Sequence, residues 1–361
     1  MGQYIKESDL LRSTFACNFI NLSTSKRLRD IGKGGYRKFI ACINLYLKVL
    51  FSLIKKRYDL CYLGINSKGY GFYKDFVIVI LLKLFGLKII YHYQNKGITE
   101  GQDKWWLNIL YRFQFRNSRV VLLSPLLYQD VAKYLTKEKV YYCANAIPEI
   151  KGINLDLINS HRDEKAIPEI LFLSNMMKEK GVFTVLKACK CLYSKGIKFK
   201  MVFIGGWANI NESEFDEFIL LNDLQEHVFY EGKIYGADKS AYFENANIFV
   251  FPSHYHNEAF PLVTLEAMQF GLPIISTREG GIPDIVSENE TGYLVEKQDA
   301  KELADKLQIL IENPDIRKRM GIAAKIKFDK FFEIGVFENN IKEILEIVIR
   351  KNYNKQDAID K

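Results

Sequence analysis

Short runs of β-branched and aromatic residues alternate along this chain with longer stretches whose apolar positions recur every three or four residues. That alternation predicts parallel α/β units. In the first half, strands are expected at Phe15–Leu22, Asp59–Ile65, Lys88–Gln94, Arg119–Leu123 and Val140–Ala144. Helices are expected between them at Tyr36–Arg57, Gly71–Phe85, Lys104–Phe115 and Leu126–Tyr134. In the second half, strands read at Glu169–Ser174, Lys200–Gly205, Val228–Gly232, Ile248–Pro252 and Pro273–Ser276. Their helices read at Val182–Lys195, Glu214–Asn222, Asp238–Asn245 and Pro261–Phe270, followed by Ala300–Ile311, Pro314–Lys327 and Gly335–Arg350.

The chain has 361 residues, enough for two domains. The polar stretch Pro148–Pro168 contains Gly152 and follows no strong period, so it reads as the linker. Two doubly wound halves, 1–150 and 151–334, would then face across a cleft at the carboxyl ends of their strands, where such folds bind ligands. The amino end departs from this plan. It opens with helix-like residues, Gln3–Arg12, and reaches a strand only at Phe15, so the first domain is expected to lack its first strand and glycine-rich turn. Either the true start lies upstream or the sheet is built differently.

Composition narrows the class. Hydrophobic residues make up 48% and charged residues 26%, which excludes a disordered or collagen-like chain. The six cysteines form no Cys-x-x-Cys pair, so buried reduced thiols in a cytoplasmic protein are expected. The opening residues do not read as a signal peptide, and Lys48 and Lys83 interrupt the most apolar stretches before they reach spanning length. The net charge of +8 is uneven: Met1–Glu149 holds 24 Lys+Arg against 10 Asp+Glu, and the remainder holds 27 against 33. A basic half of this kind suits an anionic partner.

The segment Phe249–Glu296 carries the chemistry. A buried strand ends at Pro252-Ser253, a loop with His254, His256 and Glu258 follows, and a helix begins near Pro261 with Glu266 inside it. Ionised carboxylates at positions 258 and 266 can each accept several hydrogen bonds from sugar hydroxyls. The free N–H groups at a helix start favour a diphosphate. A glycine turn, Gly280-Gly281, opens the next helix. The two histidines read as loop-packing residues rather than metal ligands.

With Glu258 and Glu266 as a Glu-x7-Glu pair, Pro252-Ser253 before them and Gly280-Gly281-Ile282-Pro283-Asp284 after them, the segment resembles glycosyltransferase family 4. These are retaining sugar-nucleotide transferases of the GT-B fold, here of the bacterial surface-polysaccharide type. The resemblance covers Glu169 to about Phe331 and includes the strand–loop Phe172–Gly181, which ends in Lys180-Gly181. It implies a hexosyl- or glycosyltransferase in which Lys180 contacts the donor diphosphate, Glu266 the nucleotide ribose and Glu258 the sugar hydroxyls. Backbone N–H groups of Ala259, Phe260 and Leu262 would line the sugar, and those of Thr264 and Leu265 would meet the phosphates. Gly205-Gly206 and Gly232–Ile234 would flank the base. The carboxyl-terminal helix, about 335–350, would pack back on the first domain.

One departure stands out: Asn175 occupies a place where many members carry Arg. Lys178 and Arg278 are candidates to supply the missing charge. In the first half the resemblance is looser. His92, near the end of a strand, is the candidate for the residue beside the reacting carbon. A packed histidine, or Gln94 in its place, is the alternative.

The implied donor is a nucleoside-diphosphate sugar and the acceptor a surface glycan, such as capsule or lipopolysaccharide, or its lipid-linked precursor. No metal or other cofactor is expected, since members work without one and no Asp-x-Asp motif is present. The helix Tyr36–Arg57 carries a basic side around an apolar face. It reads either as a core-facing helix with a solvated basic side or as a peripheral dock on the anionic inner face of the cytoplasmic membrane. No nucleic-acid module is recognisable. Two other functions remain: a catalytically impaired homologue, and a nicotinamide-dependent oxidoreductase. The latter is disfavoured because no Gly-x-Gly-x-x-Gly follows a strand.

Overall fold

The computed structural model describes residues 1–23 and 36–356; the side chains of Arg37 and of residues 351–356 lie outside the described residues. The chain forms two units. Unit 1 comprises Met1–Ala144 and Phe337–Lys361, and unit 2 comprises Asn145–Val336.

Unit 1 opens with two short helices, α1 (Gly2–Glu7) and α2 (Asp9–Thr14), split where Ser8 leaves the helical region and accepts a hydrogen bond from the Leu11 N–H. Then follow α3 (Tyr36–Lys55), β1 (Cys61–Ile65), α4 (Gly69–Leu84), β2 (Ile89–Tyr93), α5 (Ile98–Gly101), α6 (Trp105–Phe115), β3 (Ser118–Leu122) and β4 (Val140–Tyr142). The four strands are parallel in the order β1-β2-β3-β4. A sheet that always steps in one direction puts its right-handed crossovers, α4 and α6, on one face. Tyr91 and Tyr93 of β2 point to that face and pack against Phe115 of α6. His92 points the other way, onto Phe337.

The expected strand Phe15–Leu22 is not a strand. Side chains from elsewhere in unit 1, rather than a ladder, meet Asn18 and the Leu22 carbonyl. Asn18 donates to Ser52 and Tyr58, and Lys74 donates to the Leu22 carbonyl. No strand precedes β1 among the described residues. The helix expected at Leu126–Tyr134 is a 3-10 turn over Pro125–Asp130.

Unit 2 contains α7 (Leu155–Asp163), β5 (Glu169–Leu173), α8 (Val182–Ser194), β6 (Lys200–Ile204), α9 (Glu212–Leu221), β7 (Val228–Tyr230), α10 (Asp238–Asn245) and β8 (Ile248–Phe251). It continues with α11 (Leu262–Gln269), β9 (Ile274–Thr277), α12 (Ile282–Ile285), β10 (Gly292–Val295), α13 (Ala300–Glu312) and α14 (Pro314–Phe331), and α15 (Ile334–Gln356) carries the chain into unit 1. The sheet is parallel in the order β10-β9-β8-β5-β6-β7. Strand order therefore reverses between β5 and β8. Helix α8 packs with α13, and α11 packs with α14.

Two readings change here. The stretch 148–168 is not a loose linker, because α7 lies within it and docks through Arg162. That buried guanidinium donates to the carbonyls of Phe243, Glu244 and Phe270. Sequence periodicity also missed β10. It is only four residues long, and Gly292 is its first; the Ile274 backbone of β9 lies too close there for a side chain.

Candidate functional site

Strand order reverses between the neighbouring strands β5 and β8, whose carboxyl ends carry the loop after β5 and the loop after β8. A crevice forms at such a point in open α/β sheets. The first loop carries Asn175 and Lys180, and the second carries Ser253, Tyr255 and Glu258. The two are tied by a backbone hydrogen bond from the His254 N–H to the Glu179 carbonyl, 2.8 Å.

Lys180 Nζ lies 2.5 Å from Glu258 Oε2, and the same oxygen accepts from the Ser253 hydroxyl at 3.1 Å. The ammonium also sits over two aromatic faces, 4.8 Å from the Tyr255 ring centre and 5.4 Å from that of Phe251. Both side chains are largely enclosed, at 15% and 11% exposed. Gly280 sets the position of Glu258: it has φ +55°, and a Cβ there would stand 2.1 Å from the Glu258 carbonyl oxygen.

Helix α11 starts at Pro261, which has no side-chain acceptor and leaves the helix uncapped. The first-turn N–H groups have no intrahelical acceptor. The Thr264 hydroxyl turns back to the Pro261 carbonyl, 2.6 Å. Thr264 and Leu265 are buried, Leu262 is partly exposed, and Ala259 and Phe260 are buried in the approach to the helix. The Phe260 carbonyl accepts from Asn145, and the Ala259 carbonyl from the Gly281 N–H. Glu266 lies one turn into α11, half-buried, and both its oxygens accept from Lys239 of α10 at 2.7 Å.

Gly205 and Gly206 follow β6. Gly205 has φ +152°, and a Cβ there would lie 1.6 Å from the Ser174 carbonyl oxygen, so the β5 and β6 loops touch through backbone alone. The Gly206 carbonyl accepts from the Met176 N–H, and the Lys233 stem covers Gly206. Trp207 packs on Tyr230 with ring centres 4.3 Å apart and the planes tilted by 35°.

The structure redirects three expectations. Lys178 forms an ion pair with Glu214, and Arg278 pairs with Glu288, so neither candidate substitute for an arginine at Asn175 is directed to that task. Asn175 itself is exposed. His92 belongs to unit 1 and is 1% exposed. Tyr62 and Gln94 engage its two ring nitrogens, and burial lowers its pKa to about 3. It is a packed, neutral histidine, whereas Gln94 is exposed at the strand end.

Ser253, Tyr255 and Lys239 were missed as site residues. Ser253 and Tyr255 flank Glu258 in the loop already singled out, so proximity in sequence could have found them. Lys239 lies 27 residues from Glu266 and left no signal. Among the described residues, one group of carboxylates, Glu149, Asp329 and Glu333, is close enough together to hold a cation, but it comes from other elements.

Residues 156–327 match the family described as glycosyl transferases group 1. Among curated proteins, the capsular polysaccharide biosynthesis glycosyltransferase CapM of Staphylococcus aureus is 26% identical over 184 residues, 51% of this chain and 47% of that one. The amylovoran biosynthesis glycosyltransferase AmsK of Erwinia amylovora is 29% identical over 279 residues, 73% of this chain and 66% of that one. The chain thus spans about half to two thirds of these relatives' length. Among solved structures, Anabaena Alr3699/HepE in complex with UDP has a TM-score of 0.71 at 17% identity, covering 84% of this chain and 82% of that one. Residues 156–327 thus carry a match to a glycosyltransferase domain, and the chain's fold is that of GT-B glycosyltransferases. Its two Rossmann-like units are those of that fold, and the nicotinamide alternative is set aside.

Proposed function

We propose that this protein is a retaining glycosyltransferase that moves a sugar from a nucleoside-diphosphate sugar to a surface-glycan or lipid-linked acceptor. The observation that carries the reading is Lys180 held on Glu258 beside the uncapped start of α11, with Glu266 one turn inside. Breaking a glycosyl–diphosphate bond leaves negative charge on the phosphates and positive charge on the sugar. Preformed donors at the phosphates and a carboxylate beside the sugar stabilise that charge pattern.

In this reading Lys180 and the backbone N–H groups of Thr264 and Leu265 hold the diphosphate. Glu258 takes the sugar hydroxyls, with the N–H groups of Ala259, Phe260 and Leu262 around the ring. Glu266 takes the ribose. Its carboxylate keeps lone pairs beyond those that Lys239 uses. Gly205 and Gly206 bring the backbone close to the base. Lysine and helix-end charge do the work that a metal does elsewhere, so transfer proceeds without one. HepE is described in complex with UDP and with UDP-glucose, which makes uridine donors the first to test.

A second reading, an impaired transferase, draws on one observation: Asn175 is neutral and its two candidate substitutes are paired elsewhere. A thermal-shift screen of UDP-, GDP-, ADP- and TDP-sugars, followed by a donor-hydrolysis assay, separates the two. A donor at about 100 times its Kd stabilises by about 2.7 kcal/mol. Binding with hydrolysis supports the first reading, binding without it the second, and a shift that survives Glu266→Ala overturns the site assignment.

A further inference from the structure

Helix α3 buries Leu45, Val49 and Leu53 and exposes a second apolar stripe, Phe39, Ile43, Leu47, Phe51 and Ile54, on its opposite side. The core-facing reading of this helix therefore accounts for only half of its apolar residues. Helix α4, which packs on α3, exposes Tyr70, Tyr73, Val77 and Leu84 at helical spacing. Helix α6 exposes Trp105, Trp106, Ile109 and Phe113, and Phe113 packs on Phe76 of α4 with ring centres 5.7 Å apart. Three helices packed in series, α3 on α4 and α4 on α6, thus turn large apolar side chains to solvent: Phe51 is 65% exposed, Trp105 71% and Tyr70 89%. Single exposed apolar residues are ordinary, but a contiguous set of this kind marks an interaction surface.

The charge on these helices says what covers it. Together they carry one carboxylate, Asp75, which is buried and bonded to Asn66 and Lys74. The exposed charges are basic: Lys48 and Lys55 on α3, Lys56 just beyond it, Lys104 beside the Trp106 ring, and Arg112 and Arg116 at the end of α6. Exposed acids flank the set at Asp59, Glu100 and Asp103, but the helices themselves expose only basic charge, and aromatic and aliphatic side chains bordered by an excess of Lys and Arg match the boundary between acyl chains and anionic headgroups. No helix among the described residues is long and apolar enough to cross a membrane, so the fitting geometry is one lying on the surface.

We propose that the outer faces of α3, α4 and α6 dock this protein on an anionic lipid bilayer. The surface extends the reading of a transferase for lipid-linked acceptors, but docking requires neither nucleotide nor turnover, so each can fail alone. The test floats the full chain, without nucleotide, on vesicles of phosphatidylcholine with or without phosphatidylglycerol. Partition to the anionic vesicles should exceed that to neutral ones by about tenfold or more and fall as salt rises. Brominated lipids should quench Trp105 and Trp106, read in a Trp207→Phe background because the chain holds three tryptophans. A Phe51→Glu, Trp105→Glu double variant should lose about tenfold or more in partition at an unchanged melting temperature. If it melts early, Lys55→Glu with Lys56→Glu should show the same loss. Equal partition to both vesicles, no quenching, or a dimer that the double variant dissolves would overturn the proposal.

Discussion

Lys180 Nζ meets the Glu258 carboxylate at 2.5 Å across 78 residues of chain. The contact joins the carboxyl ends of β5 and β8, and the two tyrosine and phenylalanine faces around the ammonium leave it little water. Lys180→Met removes the positive charge at the proposed leaving group. We expect kcat to fall by about 100-fold or more, in line with the loss of a preformed transition-state donor. Single-turnover kinetics would measure it, with donor Kd changing much less.

Gly280 lets the Glu258 backbone approach it at a φ of +55°, so Gly280→Ala must displace that backbone. The expected destabilisation is about 1–3 kcal/mol from the dihedral alone. Denaturant melts should show it, and donor affinity should drop together with stability because Glu258 moves.

Lys239 fixes both oxygens of Glu266 and is itself only partly exposed. Lys239→Met leaves the carboxylate in place but free to turn. We expect donor KM to rise several-fold with kcat nearly constant, the mark of a residue that positions a ground-state contact. A kcat loss larger than the KM change would contradict this role.

Asn175 is exposed, so an arginine there meets no packing barrier. Asn175→Arg should speed donor cleavage by about tenfold, because it adds a second cation where charge develops. An unchanged rate would show that this position does not face the diphosphate.

His92 stays neutral because burial lowers its pKa from 6.5 to about 3. Below pH 6.5 the unfolded chain takes up a proton that the folded chain refuses. Stability is therefore full above pH 6.5 and declines as pH falls towards 3, by up to about 1.4 kcal/mol per pH unit. Urea midpoints across this range should show the slope, and His92→Gln should flatten it.

The fold's legibility followed the length and burial of each element. The strands from β5 to β9 read clearly because each is an apolar run flanked by turn residues. Phe15–Leu22 misled because it is a short, mostly apolar run like those of the true strands, while Ser52 of α3 and Lys74 of α4 bond the Asn18 side chain and the Leu22 carbonyl in place of a ladder. Helix α7 was hidden because a nine-residue, mostly polar helix is held by a single buried arginine rather than by an apolar stripe. In the candidate site, Glu258, Glu266 and Lys180 were legible as a spaced motif. Lys239 was not, since nothing local ties it to Glu266.

Amino-acid order by itself determined the alternating α/β plan, the Glu-x7-Glu pair and the basic excess of the first half. Those are properties of neighbours along the chain, where periodicity, spacing and charge act directly. Only the folded chain decided that Lys180 grips Glu258, that Lys178 and Arg278 serve other carboxylates, that His92 is sealed in unit 1, and that α3 shows solvent a second apolar face. Each of these depends on which elements become neighbours in space. Strand order and helix packing settle that through contacts between residues far apart in the chain, and no local pattern encodes them.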